Sequence, residues 1–237
     1  ERCDLDHRAV PVHGMSLNFD GVDDEVELGA VTLGDPRTWV AWIFPDTQGE
    51  SDQGLVVSHG DDGAGQRRWT LGWNGTAASK KLRYLSDRAT NGIWDMTTGF
   101  ATLAEWHFVA VVYDGALAAN DPTLYVSEGN TLSILTVGSG LTETQTPVGA
   151  EQADGVKLTV GGTGAGLLSF DGLIGECAPW ASKLLTAAEI AAIFRLGVFV
   201  VPGAYFYWPM DNTGTAHATA LSRNGRHRTI AGAVAGA

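Results

Sequence analysis

The sequence predicts an all-β protein, a sandwich of two antiparallel sheets with one short helix near residues 187–196. Three observations carry this. First, the phrase Phe19-Asp20-Gly21-Val22-Asp23-Asp24-Glu25-Val26 returns near the end as Phe170-Asp171-Gly172-Leu173-Ile174-Gly175-Glu176-Cys177-Ala178-Pro179-Trp180. In each, an apolar run delivers a Phe, Asp-Gly makes a tight turn that tolerates positive φ, and alternation resumes. Such a repeat predicts that the first and last strands of one sandwich lie side by side. Second, 31 Gly and eight Trp with only 18% charged residues suit many short strands joined by tight turns around an aromatic core. Third, a single stretch reads as helix. Thr186-Ala187-Ala188-Glu189 is a capping box, Ile190, Ile193 and Phe194 give one apolar face, and Gly197 closes it.

Residues 1–14, ending at Pro11 and Gly14, read as an N-terminal arm; residues 15–197 hold the sandwich, and residues 198–237 a strand and tail completing the same domain. Met15 to Phe19 and Glu25 to Leu28 are the first strands. Thr38 to Phe44, with Trp39, Trp42 and Phe44, is a buried strand closed by Pro45-Asp46, and Leu55 to Ser58 follows. Gly60 to Gly65 is an exposed turn, and Trp69 to Trp73 with Leu82 to Leu85 form a hairpin across Asn74-Gly75. Trp106 to Tyr113 is apolar or aromatic almost throughout, which predicts a central strand covered on both faces. Thr123 to Val126 and Leu132 to Val137 continue the meander, Gly138 to Gly155 reads as a long surface loop, and Val156 to Val160 precedes the second Phe-Asp-Gly phrase. The helix is expected as a lid over one end of the sandwich. Tyr205 to Asp211 reads as one more strand, Arg223 to Arg226 as a turn before Thr229-Ile230, and Ala231 to Ala237 as a tail with nothing to pack against.

With 44% apolar residues in 237, one domain with a large core is expected. The formal charge of −12 repels a phosphate backbone and excludes nucleic acid as a partner. No run of about 18 apolar residues exists, so no membrane insertion is expected. Glu1 to His13 lacks the apolar core of a signal peptide, so either one was removed or none existed. Cys3 and Cys177 can pair if the terminal segments meet, or stay as separate thiols.

The ordered set Phe19 to Leu28, Thr38 to Pro45, Trp106 to Gly115, Leu124-Tyr125-Val126, Thr159-Val160-Gly161-Gly162, Phe170 to Ile174 and Leu185 to Ile190 resembles the concanavalin A-like lectin/glucanase superfamily, laminin G-like branch, over roughly residues 15–195. The resemblance implies a jelly roll of two antiparallel sheets that binds sugars, proteins or cell surfaces. Tyr207-Trp208-Pro209-Met210-Asp211 and Ser222-Arg223-Asn224-Gly225 look like phrases that open such a domain, yet here they close it. That order resembles stand-alone laminin G-like proteins of tailed phages and prophages.

Enzymes of this superfamily carry carboxylates on alternate residues of one strand, facing a common cleft. Glu25 and Glu27 alternate this way but on the first strands, so a solvated face is expected and no catalytic residue is assigned. His107, inside the most buried strand, is read as a core histidine. The two Phe-Asp-Gly turns can bring Asp20 and Asp171 together with Glu176 nearby as oxygen ligands for Ca²⁺. Gly175 stands where the family phrase has Asp, so plain turn chemistry stays open beside it. Trp73, Tyr84 and Trp94 sit near turns and are the candidates for stacking on a sugar. The expectation is a non-enzymatic lectin-like module at a virion surface or outside the cell, a decoration or attachment protein touching protein neighbours in a capsid or homo-oligomer, with surface glycans as further ligands. A secreted Ca²⁺-dependent carbohydrate-binding module is the alternative, ahead of a glycoside hydrolase or lyase.

Overall fold

The computed structural model describes residues 16–60 and 67–207, together with the strand backbone of 229–231 and 234–235. The arm, Cys3, residues 61–65 of the turn expected at 60–65, residues 208–211 of the strand expected at 205–211 and the turn expected at 223–226 lie outside the described residues. In chain order the strands are β1 (Ser16–Asp20), β2 (Glu25–Val31), β3 (Arg37–Pro45), β4 (Leu55–His59), β5 (Trp69–Trp73), β6 (Leu82–Ser86), β7 (Arg88–Thr90), β8 (Gly92–Met96), β9 (His107–Tyr113) and β10 (Thr123–Glu128). They continue as β11 (Thr131–Val137), β12 (Gly140–Gln145), β13 (Val148–Glu151), β14 (Val156–Val160) and β15 (Asp171–Trp180). Helix α1 (Ala187–Leu196) follows, then β16 (Thr229–Ala231) and β17 (Val234–Ala235).

One sheet runs β17-β1-β15-β3-β9-β10-β11 and the other β12-β8-β6-β5-β4-β14-β2-β16; β13 pairs with β7 apart from both. All pairings are antiparallel except β11 with β12, a short parallel step that carries the chain from one sheet into the other. The repeated phrases meet as expected: Phe19 lies opposite Gly172 and Asp20 opposite Asp171. Among the described residues the fold is an all-β jelly-roll sandwich with one α-helix.

Period-two alternation assigns each face. On β3, Trp39, Ala41 and Ile43 enter the core between the sheets, while Val40 and Trp42 point outward. The inner core is aromatic, with Trp69, Tyr84, Trp94 and Tyr113 in mutual ring contact at 5.2–6.2 Å. β9 is covered on both faces, as its unbroken apolar run requires. Its cover, however, is α1. The helix is not a lid over one end; Ile190, Ile193 and Phe194 lie on the outer face of the first sheet against Val40, Trp42, Phe108 and Ala110. Trp42 stacks on Phe194 at 5.6 Å. The capping box forms as read, with Thr186 Oγ1 accepting from the Glu189 N–H (3.2 Å) and Glu189 accepting from the Thr186 N–H (2.8 Å).

Two further expectations are corrected. The stretch 138–155 is not a loop but holds β12 and β13, whose pattern is hidden because both are exposed and short. Val234 and Ala235 do have a partner, since they pair with Asn18 and Leu17 of β1.

Candidate functional site

The acidic turn between β1 and β2 is the densest group of hard oxygen donors among the described residues. Ligand atoms of Asp20, Asp23 and Asp24 lie within 4.8 Å of one another. The turn shapes itself: Asp24 Oδ2 accepts the Asp20 N–H (2.9 Å) and Asp20 Oδ1 accepts the Val22 N–H (2.9 Å). Burial, then the charges of Asp20 and Asp23, push the Asp24 carboxyl above its usual range, offset in part by the Asp20 N–H. Asp171 flanks the turn and is held by Thr47 Oγ1 (2.6 Å). Glu176 does not join them. It is five residues further along β15, roughly 16 Å at strand rise, buried at 1% exposure in a bulge opposite β3. The expected trio of Asp20, Asp171 and Glu176 is therefore corrected. Asp23 and Asp24, which the sequence analysis did not single out, are the acids that cluster with Asp20.

Trp73, Tyr84 and Trp94 are 2%, 0% and 0% exposed and present no face to a sugar. Their positions near turns misled, because inward alternation places all three in the core. Trp94 Nε1 donates to Asp121 (2.9 Å) and the Tyr84 hydroxyl accepts from Arg37 (2.8 Å). The two alternating glutamates are engaged: one Glu25 oxygen accepts the Gly164 and Gly166 N–H groups (2.8 and 3.1 Å), and Glu27 pairs with Lys157 (3.2 Å). His107 is fully buried, donating from Nδ1 to the Ser127 carbonyl (2.8 Å).

Sequence reading missed a buried ionic network at one end of the sandwich. Glu151, at the end of β13, accepts from Arg37 (2.5 and 2.8 Å), Arg68 (2.8 Å) and Ser86 (2.6 Å). Asp35 pairs with both arginines, and Asp154 pairs with Arg68 (2.5 Å) and accepts the Gly34 N–H (2.6 Å). The Arg37 guanidinium lies over the rings of Tyr113 and Trp69 at 5.1 and 5.4 Å. Burial works against the Glu151 charge, but the arginines override it and hold the carboxyl below its usual range. The available signal was Arg37, a full charge leading straight into an apolar strand.

His59 borders this network, fully buried, donating to the Val31 carbonyl (2.9 Å). Burial lowers its pKa to about 4. A histidine depressed in the folded state contributes stability above its unfolded pKa, and that contribution is lost as pH falls toward 4. Folding stability should therefore drop by on the order of 3 kcal/mol from this group between pH 7 and pH 4. Urea midpoints against pH for His59→Gln, which keeps a donor for Val31, should show a shallower acid slope; parallel slopes would remove His59 from the account.

Compared with known families, residues 20–191 match the family model described as concanavalin A-like lectin/glucanases superfamily. The chain belongs to this superfamily. No curated protein sequence matches it. The native heptameric SAP-like pentraxin of Limulus polyphemus is similar in structure, with TM-score 0.55, 13% identity, and cover of 98% of this chain and 96% of that one. The Trypanosoma rangeli sialidase, in complex with the inhibitor DANA, gives TM-score 0.50 at 18% identity over 80% of this chain and 28% of that one. At these identities the likeness establishes the fold of this concanavalin A-like domain. Among the described residues, no helix is long and apolar enough to cross a membrane.

Proposed function

We propose that this concanavalin A-like domain is a non-catalytic, lectin-like module acting as a surface or assembly component, a virion decoration or attachment protein. The observation that carries the reading is where the large apolar side chains are exposed. Leu196 at the end of α1, with Phe199 and Val200 in the turn that follows it, are 52%, 64% and 42% exposed, and Phe199 packs on Tyr207 at 4.3 Å. Exposed apolar side chains this close together in the chain suit contact with a protein partner. The candidate sugar-stacking rings, by contrast, are all in the core. The engagement of Glu25 and Glu27 in structural bonds also favours binding over hydrolysis.

The acidic turn supports a second reading, a secreted Ca²⁺-dependent carbohydrate-binding module. Three carboxylates within 4.8 Å suit Ca²⁺, which takes hard oxygen ligands. Asp20, Asp23 and Asp24 would hold the ion, and its charge would relieve their mutual repulsion.

One comparison separates the two. Particles assembled in the host should take up the tagged chain, and Phe199→Asp should reduce uptake at least about tenfold, the effect of losing roughly 1.4 kcal/mol of contact. On a glycan panel the chain should bind nothing that chelator abolishes. Chelator-sensitive glycan binding with no uptake into particles would transfer the assignment to the calcium-dependent module.

A further inference from the structure

The geometry points to a docking shelf on the outer face of the first sheet, between α1 and a row of acids, that takes a basic, apolar peptide segment of a partner protein. The strand registers lay this face out in rows. Ser16 of β1 lies opposite Gly175 of β15, Gly175 opposite Trp42 of β3, and Trp42 opposite Phe108 of β9. That row is closed by α1, whose Phe194 meets Trp42 and Phe108, both at 5.6 Å. Two residues along the strands, Asn18 faces Leu173 and Leu173 faces Phe44. Trp106 continues this second row, its ring edge-on to Phe44 at 5.7 Å. Two residues further, Asp20 faces Asp171, whose carbonyl accepts the Asp46 N–H (3.0 Å).

Alternation puts all three rows on the outer face, because the residues between them, Leu17, Phe19, Ile43 and Ile174, enter the core. The first row is sealed, with Trp42 at 1% and Phe108 at 0% exposure. The second is open: Asn18, Leu173, Phe44 and Trp106 are each partly exposed. Trp106 is the one tryptophan among the described residues that is not buried. Neighbouring strands lie about 4.8 Å apart, so the second row makes a shelf about 14 Å long.

The third row sets the charge of the occupant. None of Asp20, Asp46 and Asp171 forms an ion pair with a described Lys or Arg. Asp23 and Asp24 stand beside Asp20 and add to the field. Burial, and then the charge of Asp171, raise the Asp46 carboxyl above its usual range, so a cation here would relieve a repulsion already present. The shelf and the acids are two residues apart, about 7 Å. One Lys or Arg can span that gap, its stem on the apolar row and its head on the acids. Charge complementarity thus selects a segment in which apolar residues alternate with Lys or Arg. It disfavours an acidic partner, a second copy of this chain at −12 included. The inference deepens the assembly reading, and rests on it in taking the occupant to be a protein.

The test is titration of the full, isotope-labelled chain, with chelator present, while the Trp106 indole N–H resonance is followed. The probes are short peptides alternating Leu with Lys, Leu with Gln and Leu with Glu, and one of Lys alone. The Leu-Lys peptide should bind saturably, with Kd on the order of 0.1–1 mM, shift the Trp106 resonance, and weaken as salt rises. The Leu-Gln and Lys-only peptides should bind at least about fivefold more weakly, and Leu-Glu not at all. Asp46→Asn, at an exposed site, should keep its melting temperature and weaken the Leu-Lys peptide about threefold or more. Trp106→Gln should weaken it about fivefold, and Leu173→Gln tests the shelf if Trp106→Gln lowers the melting temperature. Glu143→Gln, on β12 of the other sheet, is the control and should match the wild type. No saturable binding up to millimolar peptide overturns the proposal, as does equal binding of the Leu-Lys peptide and either the Leu-Gln or the Lys-only one. So does indifference to both Asp46→Asn and the shelf variant, or a Trp106 resonance that moves with protein concentration alone, which would make a second copy the occupant. Peptide binding by a chain that never enters particles would sink the assembly reading and leave the shelf standing. Uptake into particles by a chain that binds none of the peptides would do the reverse.

Discussion

Replacing Glu151 with Gln is expected to cost about 3–5 kcal/mol of folding stability, the range for breaking a buried ion pair by removing one partner. The side chain is 4% exposed and its two oxygens receive Arg37, Arg68 and Ser86. Gln is nearly the same shape but neutral, so one of its two terminal atoms becomes a donor aimed at donors. Arg37, 4% exposed at its side chain, would keep only Asp35 as a counter-charge. Urea unfolding should show a lower midpoint with an unchanged slope. Because Glu151 is held below its usual range in the folded state, its contribution is complete at neutral pH and is lost as pH falls through that lowered value. The wild-type and Glu151→Gln stabilities should therefore converge in acid. A loss under about 1 kcal/mol at pH 7 would make this no more than a surface pair.

Gly172→Ala is the second large effect. Gly172 has φ +127° in the middle strand of three, between Phe19 of β1 and Pro45 of β3. A β-carbon there would sit 2.1 Å from the Phe44 carbonyl oxygen, 2.8 Å from the Asp46 nitrogen and 2.9 Å from the Pro45 α-carbon. All three are backbone and cannot swing aside. Backbone strain of about 1–3 kcal/mol adds to overpacking of about 1–3 kcal/mol, so a loss of roughly 2–6 kcal/mol is expected. Gly129→Ala provides the contrast, with positive φ (+53°) and nothing within 4 Å; it should cost about 1 kcal/mol. Equal losses at the two sites would show that φ alone decides and that the close approach of β3 is immaterial.

The fold was legible because its strongest signals are local and repeated. Asp-Gly after Phe marks the same turn twice, and the pairing of Asp20 with Asp171 follows from it. The capping box and the covered strand β9 were equally plain. The site was less legible, for physical reasons. Whether an aromatic is exposed depends on which sheet face it meets, and a one-residue change in phase would have turned Trp73, Tyr84 and Trp94 outward. A bulge between Gly175 and Ala178 shifts the phase of β15 at Glu176. The network around Glu151 brings together residues from 35 to 154, and no spacing in the sequence announces a partnership made only by packing.

The placement of β1 and β2 bears on the order in which the molecule can assemble. β1 pairs only with β15 and β17, and β2 only with β14 and β16, among the described residues. Neither has a neighbour until residues beyond 150 have been synthesised. Hairpins such as β5 with β6 and β9 with β10 can close early, since their partners are near in sequence. Loop-closure entropy makes the distant pairings slow to form. β1 and β2 thus wait for partners far later in the chain, and the cover that β15 gives Leu17 and Phe19 comes only when those partners arrive.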